Sequence, residues 1–518
     1  MAGNVKDNAA AAGTDGVTPP SPGHMAGLTP LATHRNAIAL VLIFAVSLVL
    51  HFWSLSRPDF VVFDEQWFAN FANSYFTHLY YYDIHPPLGK ELLAFFGWLF
   101  GYQAAVPGFF IGDTFPNAAN FVPFRQAVAL FGSFLPVIVY LIARQLRISF
   151  PFRVLAALLV LLDNALLLQS RLVLIDIFLI DFSLLAMLAY LMARNCPPDD
   201  DNRRWMLWGL VGLCAALAVS VKFVGGSVFV AIIACELLVP SLPRPEFLKK
   251  IAVCAVIIGA IYVISYVPHF AALDKERDLL SLADPLTSPG KGATSPAPYP
   301  NAYFRLISGG FSNQFITLQS QLTLMLSEVH HPYESRFYTW PFMYKPIYYG
   351  LRTGGDKNEY LYLFGNPIVW AAGLVGAIGT FSALALAMLR PGTVYQNGRQ
   401  KGRKGSVRYP AARWWPPLSG HARVLIILVI FYLVTWLPFI ITSRATFLYH
   451  YFTPLCISLI AFSYACDRLP LPPRPRLVLI AGIVLLALAG FLYYSPVTFS
   501  LPLSYRELSG IFILSGMQ

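Results

Sequence analysis

Residues 62–90 of the chain read VFDEQWFANFANSYFTHLYYYDIHPPLGK and place an acidic pair, Asp64 and Glu65, directly after the first apolar run of membrane-crossing length. The aromatic residues between 68 and 82 fall close to a helical stripe, which predicts a short helix at the membrane interface. A His-Pro-Pro turn at 85–87 ends that helix, because proline holds the residue before it in an extended conformation. Carboxylates in this setting indicate chemistry at the lipid surface.

The composition is that of a polytopic membrane protein. Of the 518 residues, 57% are hydrophobic and 12% are charged, against roughly 25% charged in soluble domains. The mean hydropathy is +0.58. Apolar runs of about 18 or more residues, enough to cross a hydrocarbon core of about 30 Å as a helix, recur along the whole sequence. We predict an all-α polytopic membrane protein with about 11 transmembrane helices, at about 37–55, 124–143, 153–170, 172–193, 206–222, 224–240, 250–268, 366–389, 423–442, 446–465 and 476–494.

The distribution of basic residues predicts the orientation of these helices. The loop at 390–423 carries a run of Arg and Lys without any Asp or Glu, and short cytoplasmic loops retain such residues. Alternation from this loop places the N-terminus inside and the C-terminus outside. The net charge of +11 is therefore mainly a topology signal, and its spread over separate loops argues against a nucleic-acid partner.

The same topology divides the chain into segments. Residues 1–36, rich in Ala, Gly, Thr and Pro, are predicted to form a disordered cytoplasmic tail. The transmembrane catalytic domain is expected at 37–495, and an external C-terminal tail at 496–518. Two long external loops, at about 56–123 and 269–365, are large enough to fold, and loops of that size usually carry function. The six cysteines fall in spans or at cytoplasmic ends, so we expect no structural disulfide.

Six sequence blocks, taken together, resemble the protein O-mannosyltransferase family. They are FDE with YDIHPPLGK (63–65 and 82–90), FRQAVALFGS (124–133), DNALLLQSRLVLID (163–176), SVKFVGG (220–226), HPYESRFYTWPFM (331–343) and SRATFLYHYFTP (443–454). The resemblance implies the GT-C fold of membrane glycosyltransferases. It also implies an inverting transfer of mannose from a polyprenyl-phosphate carrier to Ser or Thr of exported proteins.

The chain departs from the family pattern in two places. Eukaryotic members carry a β-trefoil MIR domain before the eighth span, where this chain has a much shorter loop, so its compact form resembles the bacterial members. The resemblance therefore implies a bacterial cytoplasmic membrane, a catalytic site on the external face and an association with the export machinery. Family members often have His three residues after the catalytic Asp, whereas this chain has Trp67.

The proposed chemistry needs one base and several cations. A base takes the proton of the acceptor hydroxyl, cations stabilise the departing phosphate, and no general acid is needed because phosphate is already a good leaving group. Adjacent side chains on extended backbone point to opposite sides. We therefore assign Asp64 as the base and Glu65 to acceptor binding or loop anchoring. A helix N-terminus, which favours acidic residues, is the alternative explanation, above all for Glu65.

Arg and Lys at the external ends of spans are the candidates for holding the donor phosphate, because guanidinium binds phosphate oxygens bidentately. The cationic candidates are Arg125, Arg171, Lys222, Arg336 and Arg444. Three histidines could bond to sugar or phosphate, namely His85, His331 and His450. Ordinary snorkelling or an ion pair is the alternative for each cation, and a satisfied structural role is the alternative for each histidine. Asp163 could pair in this way with Arg171, and Asp176 is likewise predicted to be structurally paired.

The sequence predicts no metal site and leaves two other functions open. It has no HExxH or DxD cluster near the acids, and a donor with a single phosphate has less need of a metal than a diphosphate. We therefore expect no cofactor. A related GT-C enzyme with a lipid or glycan acceptor is the first alternative. A transporter or structural membrane protein is the second, although no internal repeat supports it.

Overall fold

The computed structural model describes residues 30–81, 83–105, 108–115, 121–274, 330–389 and 419–512, together with Gln319 and Thr323. Most of the predicted N-terminal tail and of the basic loop lies outside these residues. Helix α1 (Pro30–Phe52) already includes the last residues assigned to that tail. The predicted tail boundary at residue 36 is therefore too late, because the helix begins several residues before the apolar run from which the span was predicted.

Two short helices follow α1, and a longer series of helices follows them. The first short helix, α2 (Glu65–Thr77), overlaps the predicted interfacial helix, and much of it is buried inside the protein. It ends at Thr77, where His78 adopts a left-handed conformation, and not at the predicted His-Pro-Pro turn. The next helices are α3 (Leu88–Leu99), α4 (Val122–Gln145), α5 (Phe150–Leu161), α6 (Asn164–Gln169), α7 (Asp176–Arg194), α8 (Asp201–Val221), α9 (Gly226–Leu238) and α10 (Arg244–Ala272). The C-terminal helices are α11 (Pro367–Leu389), α12 (Gly420–Trp436), α13 (Phe452–Asp467), α14 (Pro473–Thr498) and α15 (Tyr505–Phe512).

Eight helices in the described part of the chain are long and apolar enough to cross a membrane. They are α1, α4, α7, α8, α10, α11, α14, and α12 with its 3-10 extension to Ile441. The other three predicted spans coincide with the shorter helices α5, α9 and α13, of 12, 13 and 16 residues. The mainly helical membrane fold is confirmed, and the number of spans stays a prediction.

Asp163 explains why the predicted span at 153–170 is divided into α5 and α6. Its carboxylate accepts hydrogen bonds from the backbone N–H of Leu166 at 2.9 Å, which begins α6, and from that of Asn366 at 3.0 Å. It also accepts one from the indole N–H of Trp370 at 2.9 Å. The pairing of Asp163 with Arg171 considered from the sequence is wrong, because neutral donors from a distant part of the chain satisfy this buried carboxylate.

A close helix contact in the C-terminal half depends on small residues. Helix α11 packs against α13, with Gly373 and Gly376 at the crossing. A Cβ atom at position 376 would lie 2.2 Å from the backbone oxygen of Ser458. Glycine therefore lets the two backbones approach, as small residues do at helix crossings in membranes.

A small antiparallel sheet, absent from the predicted all-α fold, lies near the N-terminal loop. Strand β1 (Ile347–Arg352) pairs with β2 (Asn358–Leu363), which pairs with β3 (Pro502–Leu503). A Cβ at Gly350 would lie 2.7 Å from the ring of Phe60, so β1 packs closely against the loop that leads to Asp64. Because β3 and α15 join this unit, part of the predicted C-terminal tail belongs to the folded core.

We expect Gly376→Val to destabilise the protein, because the new side chain would force the backbones of α11 and α13 apart. The free energy of unfolding should fall by about 2 kcal/mol or more, measured by thermal unfolding in detergent. Gly379→Val is the matched control, since a Cβ at Gly379 meets nothing within 4 Å. Equal melting temperatures of the two variants would contradict the assigned contact.

Candidate active site

The loop that carries Asp64 is held in one conformation by aromatic packing. Phe63 has a φ of 41°, in the left-handed region that a bulky residue rarely adopts. Its ring stacks on that of Tyr349 in β1, with centroids 4.7 Å apart and planes 9° apart. It also meets the ring of Phe447 edge to face at 5.6 Å. Such backbone strain persists only where the surroundings enforce it, and it often marks functional sites.

Asp64 is the partly exposed member of the acidic pair. It precedes the first residue of α2, but its side chain makes no capping hydrogen bond to that helix. The hydroxyl of Tyr449 donates a hydrogen bond to its carboxylate. Burial raises the pKa of Asp64 to about 7; the charge of Lys222 lowers it and that of Asp176 raises it. A carboxylate with a pKa near 7 is well matched to general-base work at neutral pH.

Glu65 is fully buried and binds Arg125 bidentately. The Nε and one terminal nitrogen of Arg125 donate to the two Glu65 carboxylate oxygens, each at 2.8 Å. Glu65 also accepts the backbone N–H of Val173 at 2.8 Å, at the turn that precedes α7. One carboxylate therefore joins α2, α4 and the start of α7. This geometry favours loop anchoring, one of the two roles predicted for Glu65.

Arg125 is also enclosed on its remaining sides. Its other terminal nitrogen donates to the carbonyl oxygens of Leu55 at 3.0 Å and Pro58 at 2.7 Å. The guanidinium lies 4.3 Å from the ring centroid of Phe121, and the side chain is 0% exposed. These contacts favour a positioning role over the donor-phosphate contact predicted from the sequence.

Two cationic candidates lie beside Asp64. Lys222, at the end of α8, donates to Asp176 at 2.6 Å, so Asp176 has an ion-pair partner as expected. Arg444 precedes the 3-10 helix Leu448–Tyr451, and its charge also lowers the pKa of Asp64. The buried Nε of Arg444 has no hydrogen-bond partner among the described residues. An unsatisfied buried donor beside a candidate base suits an anionic ligand.

His85 and His450 belong to the same cluster. Burial lowers the pKa of His85 well below its usual range, and nearby cations including Lys222 lower it further, so its ring is neutral at pH 7. The buried Nδ1 of His85 has no partner in the part of the chain that the structure describes. The Nδ1 of His450 lies within hydrogen-bond distance of the backbone of Phe447, and its ring stacks on that of Trp340.

The three other predicted residues lie outside this cluster. His331 contacts the ring of Phe63 at a centroid distance of 6.2 Å, and its Nδ1 accepts the backbone N–H of Tyr333 at 3.1 Å. Arg336 is exposed to solvent. Arg171 is buried and donates to the carbonyl oxygens of Leu50 and His51 at 2.9 and 2.8 Å, which indicates an anchor for α1.

A pocket adjoins this cluster. Its charged and aromatic part includes Asp176, Lys222, Tyr449 and His450. The rest of the wall consists of apolar and hydroxyl side chains: Leu179, Ile180, Ser183, Val224, Ser227, Thr435, Phe439 and Thr453. A ligand with a charged group joined to less polar parts fits such a lining.

Sequence reasoning missed several residues that shape the site. Tyr449 and Tyr349 were not singled out, although Tyr449 lies within the block at 443–454. Lys90, which is 1% exposed, binds Asp83 at 2.6 Å and donates to the carbonyl oxygens of the His85-Pro86 turn, each at 2.7 Å. The opposite charges that flank the turn within YDIHPPLGK were the available signal for this contact.

No group of three or more His, Cys, Asp or Glu side chains within the described ranges is placed to hold a metal ion. The expectation of a metal-free reaction stays a prediction.

Two family models match the chain. The model described as dolichyl-phosphate-mannose-protein mannosyltransferase matches residues 41–273, and the model of the C-terminal four TMM region of protein-O-mannosyltransferase matches 311–516. Together they cover most of the sequence.

The curated relatives and a solved structure agree with these matches. Dolichyl-phosphate-mannose--protein mannosyltransferase 6 of Saccharomyces cerevisiae is 30% identical over 259 residues, which is 48% of this chain and 34% of that protein. Protein O-mannosyl-transferase 1 of Mus musculus is 35% identical over 189 residues, which is 36% of this chain and 25% of that protein. The chain thus spans only about a quarter to a third of these relatives.

The S. cerevisiae protein O-mannosyltransferase Pmt1-Pmt2 complex bound to the sugar donor superimposes with a TM-score of 0.75 at 16% identity, covering 93% of this chain and 92% of that chain. This superposition confirms the predicted GT-C fold.

We expect Arg125→Met to lower the free energy of unfolding by about 3–5 kcal/mol, because it leaves the Glu65 carboxylate buried without a charged partner. Arg352→Met is the control, since Arg352 forms an exposed ion pair with Asp59, and exposed pairs contribute at most about 1 kcal/mol. Thermal unfolding in detergent measures both. Unchanged stability together with a raised KM for a lipid-linked donor would instead support the donor contact predicted from the sequence.

Proposed function

Because the chain belongs to the family of dolichyl-phosphate-mannose-protein mannosyltransferases, we propose that it moves mannose from polyprenyl-phosphate mannose to Ser or Thr hydroxyls of exported polypeptides. The observation that carries the proposal is Asp64, a partly exposed carboxylate with a pKa of about 7 beside two cationic side chains. Family membership favours an enzyme over a transporter or a structural membrane protein.

The reaction is a single displacement at the anomeric carbon of mannose. Asp64 takes the proton of the acceptor hydroxyl while the hydroxyl oxygen forms the new glycosidic bond. The bond from the anomeric carbon to the phosphate oxygen breaks, and its electron pair leaves with the polyprenyl phosphate. One displacement inverts the configuration at that carbon.

Lys222 and Arg444 meet the negative charge that grows on the leaving phosphate. Lys222 already neutralises Asp176 at 2.6 Å, whereas Arg444 has a buried N–H still to be satisfied. Arg444 is therefore the stronger candidate for the direct phosphate contact, with Lys222 beside it. Preorganised cations of this kind stabilise developing charge without reorganisation during the reaction.

This scheme needs neither a general acid to protonate the leaving group nor a metal ion. Departing phosphate is a weak base, so no general acid has to protonate it. Its single phosphate carries less charge than a diphosphate, and the two cationic side chains can meet that charge. We therefore propose a reaction without a resident cofactor.

The proposed location is a bacterial cytoplasmic membrane with the site on its external face, where exported polypeptides emerge. Asp64, Lys222 and Arg444 lie at one end of the helix bundle. The opposite end carries other ion pairs, including Arg194 with Glu236. In the sequence, the strongly basic stretch at 390–418 follows α11 directly. Retention of basic segments on the cytoplasmic side supports this orientation. Association with the export machinery is part of the same proposal.

The direct test uses purified protein, polyprenyl-phosphate mannose with a labelled sugar, and a Ser/Thr-rich peptide followed by mass spectrometry. We expect the peptide to gain hexose, and Asp64→Asn to lower kcat by about 10²–10⁴-fold, the usual contribution of a general base. Asp113→Asn, an exposed carboxylate of the same loop, is the control for turnover and thermal unfolding.

Three outcomes of that test would count against the proposal. Normal turnover in Asp64→Asn would remove the assigned base. Label found in lipid or glycan, with an unmodified peptide, would support a related GT-C enzyme with another acceptor. No transfer by the wild-type protein from this donor would overturn the donor assignment.

We expect Arg444→Ala to lower kcat/KM for the lipid donor by about 10–100-fold, because charge-assisted hydrogen bonds contribute about 1.5–3 kcal/mol. Arg336→Ala is the matched control, since Arg336 is exposed and lies outside the cluster. Titration of the donor at saturating peptide measures both. A larger effect of Arg336→Ala would return the phosphate contact to Arg336.

A further inference from the structure

Gln169, the last residue of α6, joins two side chains that lie on different sides of the site. Its amide nitrogen donates to Asp176 at 3.0 Å, and its amide oxygen accepts the hydroxyl proton of Tyr349 at 2.6 Å. The side chain is 2% exposed, so both contacts are shielded from water. Buried polar networks of this kind fix one arrangement when every member is satisfied.

Both ends of this connection reach Asp64. The Tyr349 ring stacks on Phe63, the residue that precedes Asp64 in the chain. Asp176 holds Lys222, whose charge acts on the Asp64 carboxylate. Gln169 therefore links the residue that orients the Asp64 backbone to the ion pair that sets its electrostatic surroundings.

The direction of each hydrogen bond is determined by Asp176. An ionised carboxylate only accepts, so the amide nitrogen of Gln169 must face it. The amide oxygen must then face Tyr349, whose hydroxyl must donate. The amide thus permits one pattern of hydrogen bonds, which a side chain without both a donor and an acceptor would not reproduce.

We infer that Gln169 is a positioning residue of the proposed transfer reaction. It holds the Asp176–Lys222 ion pair and Tyr349 in a single arrangement around Asp64. The inference rests on the proposed function. No catalytic contact of Gln169 with substrate is implied, because the residue acts through its two partners.

Charged and titratable side chains surround Asp64 from several elements. They are Asp176 and Lys222 from α7 and the end of α8, Arg444 and Tyr449 from the segment before α13, and Tyr349 from β1. The adjacent Glu65 is paired with Arg125, and His85 and His450 lie beside the same cations. Asp176 is the nearby anion that acts on Asp64, so a change at Gln169 alters the balance of these charges.

The test is the pH dependence of kcat for mannosyl transfer by wild type and Gln169→Glu. We expect wild-type kcat to fall below about pH 7, where Asp64 becomes protonated. In the variant, a second carboxylate beside Asp176 disfavours ionisation of Asp64, so the acidic limb should move up by about one pH unit. Asn164→Asp is the matched control, because Asn164 is a buried amide of the same helix that bonds instead to Phe491 and Thr498.

A second variant covers the possibility that Gln169→Glu folds poorly. Gln169→Met keeps the volume but donates no hydrogen bond to Asp176, and we expect a smaller shift of the acidic limb in the same direction. If the acidic limb lies at the same pH in the wild type and in every Gln169 variant that folds, Gln169 is only a structural residue, whatever the loss of kcat. Absence of transfer by the wild type would overturn the proposed function and this inference with it, whereas an active wild type with unshifted variants would overturn the inference alone.

Discussion

The buried ion pair between Glu65 and Arg125 is the interaction on which the arrangement of the site depends. Both side chains are fully removed from solvent, and each carboxylate oxygen receives one N–H of the guanidinium at 2.8 Å. Desolvating two charges is costly, and only excellent geometry and additional hydrogen bonds offset that cost. Here the additional bonds come from the loop before α2 and from the turn before α7, so the pair fixes where these elements meet.

The position of this pair decides what its neighbour can do. Glu65 points into the protein, whereas Asp64 lies beside Tyr449 and the cations Lys222 and Arg444. Two adjacent carboxylates thereby acquire different properties from their environments: one is buried in an ion pair with a guanidinium, and the other has a pKa near neutrality. Mannosyl transfer as proposed needs only the second, which explains how an acidic pair can contain one base and one anchor.

The sequence could predict the parts of this structure that depend on composition and local pattern. Apolar runs located the helices, the chemistry of an acidic pair beyond the first run indicated Asp64, and the external ends of spans indicated Lys222 and Arg444. Contacts between distant segments could not be read in the same way. The break after α5 depends on Asn366 and Trp370, roughly two hundred residues away, and the burial of Arg125 depends on carbonyl groups of a loop. Tyr349 became visible only when β1 was found to pack against the residues before Asp64.

The left-handed backbone conformation of Phe63 places the needs of protein stability and of the proposed activity in conflict. Its conformation costs roughly 1–3 kcal/mol, which the stacked rings of Tyr349 and its neighbours offset. Glycine would adopt the same backbone without strain but would supply no ring to stack. A mutational scan scored by protein abundance alone would thus underrate this position, because the side chain holds a carboxylate in its working direction at the expense of the chain's own stability.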